Sequence, residues 1–149
     1  MAKLTVDGLD GIMVDMIRQD ATLRTRIDNA MTLGADILQK QMQEETKRFI
    51  APTGELARLT RPGMIFHFPD AVKISVWPQG MYTGRRGDPR RAAEVGFVME
   101  NGVKPYFMTK GKYANTTRSS QKANPWMSRA MRKKKWDIAN TMKDAIYGG

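Results

Sequence analysis

The chain predicts a single α+β domain spanning residues 1–149. A short and a long N-terminal helix should precede a small antiparallel sheet of three or four strands, and a C-terminal helix should pack on that sheet. Three observations carry this expectation. Apolar residues recur at helical spacing from Leu9 to about Phe49, the period falls to two between Met64 and Trp77, and helical spacing returns from Pro125 onward, because side chains repeat every 3.6 residues in a helix and every two in a strand. A chain of this length buries about 70% of the surface its unfolded form exposes, so it needs no cross-links. It contains no cysteine, which excludes disulfides, thiol catalysis and thiolate metal sites and suits synthesis in a reducing cytoplasm.

Leu9, Ile12, Met13, Met16 and Ile17 fall on one stripe of a short amphipathic helix. Asp20 is placed to cap the longer helix, whose apolar face runs through Leu23, Ile27, Ala30, Met31, Gly34, Ile37, Leu38 and Met42. Pro52 and Gly54 end it, since proline cannot continue the backbone ladder and disfavours helical dihedrals in the residue before it. Gly34 inside the stripe predicts close approach by a strand or a second helix, because glycine there otherwise costs about 1 kcal/mol.

Met64–Phe68 and Val72–Trp77 flank Pro69-Asp70, a turn-forming pair, and predict an antiparallel hairpin with Val72, Ile74 and Val76 facing the core. Residues 79–91 hold three glycines, one proline and four arginines, which marks a flexible loop near 79–92. Val95, Phe97 and Met99 alternate with smaller or polar residues, so 93–99 predicts a further strand running into a turn at Glu100-Asn101-Gly102. Residues 103–122, rich in Lys, Gly, Ser, Thr and Asn, predict a long flexible loop. Asn124 then offers a side-chain cap and Pro125 a first helical residue with no N–H to satisfy. The final helix buries Met127, Met131, Lys134, Ile138, Met142 and Ala145 or Ile146, with Trp126 and Trp136 assigned to packing.

The formal net charge is +10. Residues 1–80 are balanced, with ten Lys/Arg and ten Asp/Glu, and residues 81–149 carry the whole excess. Such asymmetry suits a surface that meets polyanions or acidic protein faces. Chemistry has no evident home: His67 is the single histidine and sits in a predicted strand, and no His/Asp/Glu cluster has metal-ligand spacing. No phosphate-cradling glycine loop or nucleophile elbow is present. No enzyme activity, cofactor, metal or small-molecule substrate is expected. The N-terminus lacks a signal-type apolar stretch, and no segment has the roughly 18 apolar residues that span a bilayer.

Arg85, Arg86, Arg90 and Arg91 can reach phosphates or carboxylates through their guanidinium forks. Arg129, Arg132, Lys133, Lys134 and Lys135 spread around the final helix at about 100° per residue and form no single DNA-reading face.

Three motifs in order carry a resemblance: Pro52-Thr53-Gly54-Glu55-Leu56 after the long helix, then Glu100-Asn101-Gly102, then Asn124-Pro125-Trp126-Met127. Across roughly residues 20 to 146 the chain resembles the tail-completion, or head-tail joining, proteins of long-tailed bacteriophages. Asn101 stands where the family has an aromatic residue. The resemblance implies a virion structural protein of the neck, made in the host cytoplasm. It would form a homo-oligomeric ring, six-fold to match the tail, between the head connector or stopper and the tail tube or terminator. Interface positions would include Arg85, Arg86, Arg90, Arg91, Glu100, Asn101, Gly102, Lys110 and Lys112, with Trp126, Met127, Met131 and Ile138 in the core. The competing reading is a small basic protein that binds DNA without regard to sequence; in a neck ring the basic half would face either acidic partner rings or the passing genomic DNA.

Overall fold

A computed structural model describes residues 2–6, 20–49, 52–85, 87–111 and 114–148. The predicted short helix around Leu9–Ile17 lies outside the described residues. In chain order the elements are β1 (Ala2–Val6), α1 (Ala21–Thr46), α2 (Glu55–Leu59), β2 (Thr60–Pro62), β3 (Phe66–His67), β4 (Val72–Pro78), β5 (Met81–Tyr82), β6 (Arg90–Arg91), α3 (Ala92–Asn101), β7 (Tyr106–Met108), β8 (Thr116–Arg118) and α4 (Trp126–Tyr147). The fold is α+β, with the long helix, the antiparallel sheet and the C-terminal helix in the expected order.

β4 is the central strand. β1 lies antiparallel on one edge, with Leu4 opposite Ile74, and β2 and β3 share the other. Pro62 faces Val76 and Phe66 faces Lys73, so four steps on one strand match three on the other, the count of a β-bulge. Within the bulge Gly63 donates its N–H to the Ser75 carbonyl at 2.8 Å.

Alternation sends Leu4, Val72, Ile74 and Val76 inward, where they meet Ile27, Met31, Ala35, Leu38 and Met42 of α1 in one buried cluster. Asp20 caps α1 as predicted, accepting from the Thr22 and Leu23 N–H groups. α4 packs along α1 and closes the core with Trp126, Met127, Ala130 and Ile138. Gly34 lies against α4, as expected: a Cβ there would stand 3.0 Å from Met142 Sδ and 3.3 Å from Ile138 Cγ2. Met131 and Met142 are half-buried against the same cluster.

Three local expectations are corrected. Residues 92–101 are helical, not a strand. Ala92, Val95, Gly96 and Met99 keep the i, i+3, i+4, i+7 spacing, and Gly96 hides that period because it buries no side chain. A Cβ on Gly96 would come within 2.7 Å of Pro78 Cγ and 3.4 Å of Trp126, so the absent side chain is what lets α3 lie against β4. The described residues of 103–122 form an antiparallel hairpin, not a long loop: Phe107 pairs with Thr117, and a Val103–Gln121 bridge closes the base. Residues 79–92 include a short ladder with Met81 opposite Arg91. The N-terminal strand had no place in the expectation: among its described side chains Ala2 and Leu4 are the buried ones, and two positions give little periodic signal.

Candidate interaction surface

Two of the three motifs, Glu100-Asn101-Gly102 and Asn124-Pro125-Trp126-Met127, meet in space, while the third, Pro52–Leu56, reaches the arginine loop through Glu55. α3 ends at Gly102, whose φ of 70° is left-handed, and the backbone then passes so close to the approach to α4 that a Cβ on Gly102 would stand 2.5 Å from the Gln121 carbonyl. The Val103 and Gln121 backbones exchange two hydrogen bonds at 2.8 Å, and Asn124 donates its N–H to the Met99 carbonyl at the same distance. The start of α4 is thereby pinned to the end of α3.

Glu100 completes the junction. Its carboxylate accepts from the Met127 N–H at 2.8 Å, the Ser128 N–H at 3.1 Å and the Ser128 hydroxyl. These are the free donors at the start of α4, and a negative charge there also meets the favourable end of the helix dipole. This overturns the expectation that Asn124 caps the helix, and it places Glu100 on α3 instead of in a turn after a strand. The Asn124 side chain instead accepts from Arg129 Nη2 at 2.7 Å. Pro125 takes the capping position itself, and the helix begins at Trp126. Asn101 donates to the Phe97 carbonyl at 3.1 Å. Trp126 is fully enclosed, meets Phe49 edge to face at 5.6 Å and donates its indole N–H to the Gly96 carbonyl. Trp136, assigned to packing with it, is 73% exposed.

The arginine loop faces the end of α3 and Gln121 across a groove. Arg85, Arg90 and Arg91 are exposed, while Arg86 lies outside the described residues. The base of the loop is fixed by Glu55, which accepts from the Thr83 N–H, the Thr83 hydroxyl and the Gly84 N–H at 2.8–2.9 Å. Those backbone donors hold its carboxyl below the usual carboxylate range. Between the loop and α3 runs an open groove of about 390 Å³, lined by Arg85, Asp88, Arg90, Glu94, Val95 and Val98 among others. Lys110 is exposed at the tip of the β7–β8 hairpin, and Lys112 lies outside the described residues.

One buried charge was not foreseen. Glu45 is 1% exposed and bridges α1 to α4 through Arg129 and Lys133, with Gln41 donating from within α1. Burial opposes its ionisation, but the hydrogen bonds from Lys133, Arg129 and Gln41 and the Lys133 charge outweigh that cost and hold the carboxyl at about 2. The signal was present in the phase of the α1 stripe, where Leu38, Met42, Glu45 and Phe49 follow one another on the buried face. Two cations of the basic C-terminal half are therefore engaged by Glu45. His67 Nε2 lies 3.0 Å from Asp28 Oδ1, which sets β3 beside α1.

Among the described residues no group of three His, Asp or Glu side chains could hold a metal ion, and no helix is long and apolar enough to cross a membrane. Comparison with protein-family models, curated proteins and solved structures found no match.

Proposed function

We propose that the protein is a structural component of a long-tailed phage neck, joining the head connector or stopper to the tail tube or terminator as a homo-oligomeric ring. It acts by binding and catalyses nothing. The observation that supports this reading is the junction itself: Glu100-Asn101-Gly102 and Asn124-Pro125-Trp126-Met127, distant in sequence, form one hydrogen-bonded unit. Motifs that a family shares for a physical reason should converge in this way.

The surface around the junction suits assembly. Phe97, Tyr106 and Phe107 are each half exposed or more on α3 and the β7–β8 hairpin. Beside Phe97, a groove of about 620 Å³ is floored by Met127 and Met131 and edged by Lys3, Arg132 and Lys135. Exposed aromatic and methionine side chains beside cations are the composition of protein contact surfaces. The competing reading, duplex DNA binding as the main activity, has less support because Arg129 and Lys133 serve Glu45. Native mass measurement decides between them. A ring by itself or on addition of tail tubes supports the neck reading; a monomer that binds duplex tightly, and loses several orders of magnitude between about 50 and 200 mM salt, overturns it.

A further inference from the structure

The sheet face turned away from α1 interleaves aromatic rings with cations. Register places Phe66 opposite Lys73, Lys3 opposite Ser75 and Arg61 opposite Trp77, all on the side that alternates with the buried Leu4, Ile74 and Val76. Phe66 and Phe68 are 50% and 49% exposed, Lys3 and Arg61 are exposed, and Lys73 and Trp77 are half-buried. The Lys73 ammonium lies 5.2 Å from the centre of the Phe68 ring. The indole of Trp77 reaches across to the bulge, its Cζ3 and Cη2 atoms 2.5–2.6 Å from where a Cβ on Gly63 would be. Gly63 is thus what admits the indole against the neighbouring strand. Residues 60–78 contain one carboxylate, Asp70, in the β3–β4 turn, and residues 2–6 contain none.

We propose that this face binds single-stranded nucleic acid, stacking bases on Phe66, Phe68 and Trp77 and meeting phosphates with Lys3, Arg61 and Lys73. The proposal stands independently of the neck reading. Among the described residues Lys3, Arg61 and Lys73 form no ion pair, so the three cations complement a polyanion, and interleaved aromatic rings offer planes on which any unpaired base can stack. A duplex keeps its bases stacked on one another and would use the cations alone. A second copy of this chain is disfavoured as occupant, since a two-fold contact would set Lys3, Arg61 and Lys73 against the same three cations. An acidic protein face would satisfy the cations and leave the stacking planes without a matched partner.

The test is titration of the full chain, carrying Trp136→Phe, with a labelled twelve-residue oligothymidylate. In that background the buried Trp126 reports little and Trp77 reports stacking. Binding should quench indole emission, and the logarithm of affinity should fall with that of salt at a slope of about −2 for three phosphates. The double change Phe66→Ala and Phe68→Ala should weaken binding about tenfold with the slope unchanged, and Lys73→Gln should reduce the slope by about 0.7. Gly63→Ala, which displaces the indole without removing an aromatic, should abolish the quenching. Binding without quenching, or affinity indifferent to the two phenylalanines in protein with unchanged circular dichroism, overturns the proposal. So does equal competition by duplex DNA or by a polyglutamate of the same charge.

Discussion

Trp126 is the residue on which most of the packing converges, because its ring touches Phe49, its indole N–H is satisfied by Gly96, and none of it reaches solvent. Trp126→Ala should therefore cost about 3–5 kcal/mol, since truncation forfeits the transfer free energy of the ring and leaves a cavity. Urea denaturation measures it, and a loss below about 1 kcal/mol would show that the site collapses around the change. Trp136→Ala, at an exposed position, should stay within about 0.5 kcal/mol of the parent. Glu100 acts through backbone donors, so Glu100→Ala should cost about 1 kcal/mol, the usual value of a helix cap. Glu100→Gln should recover part of that loss, because an amide oxygen still accepts from Met127 and Ser128 but brings no charge to the helix end. Equal losses in the two variants would mean that the carboxylate's charge carries the effect alone.

At the scale of elements, Glu45 fastens α1 to α4 and does so only when ionised. Its folded value of about 2 lies below the ordinary 4.5, so its contribution is complete above pH of about 4.5 and is lost as the pH falls towards 2. Glu45→Gln should cost about 2 kcal/mol at pH 7, less than for a sealed ion pair because the Arg129 and Lys133 heads keep some contact with water. Stability of parent and variant should converge near pH 2, and a gap that stays constant across that range would contradict the assignment. How far the sequence disclosed each element follows from how much its burial repeats. α1 was legible through seven turns of one stripe and an Asp20 cap, and β4 through strict alternation. α3 was not, because glycine at a buried position removes the mark that identifies a helical face, and Val95, Phe97 and Met99 then imitate a strand. The β7–β8 hairpin escaped notice for a related reason: its Tyr106 and Phe107 point to solvent, so no apolar alternation distinguishes it from a polar loop. Of the candidate site, the two motifs were legible as words, but their joining through Glu100 was not. A carboxylate that caps another helix leaves no local spacing to read.

For the whole molecule, charge and fold are separable, and that separation gives the sharpest test of the neck reading. The excess of positive charge lies wholly in residues 81–149, yet the charged contacts that hold the described core use Glu45, Arg129 and Lys133 of α1 and α4. The described arginines of the loop, Arg85, Arg90 and Arg91, make none of these contacts and stand in solvent on a base fixed by Glu55. Reversing Arg85, Arg86, Arg90 and Arg91 to Glu changes the charge by two at each of four positions, taking the formal net charge from +10 to +2. Surface changes of this kind alter stability by about 0.5 kcal/mol or less each, so the melting temperature should move little. Docking onto an acidic partner ring, by contrast, depends on the sign of the facing potential, and like charges brought together cost several kcal/mol across an interface. On the neck reading the reversed protein folds, fails to join heads to tails, and lowers the yield of infectious particles while free heads and free tails accumulate. A folded variant that supports the parent's yield would remove the arginine loop from the joint and leave Phe97 and the β7–β8 hairpin as the surface to test next.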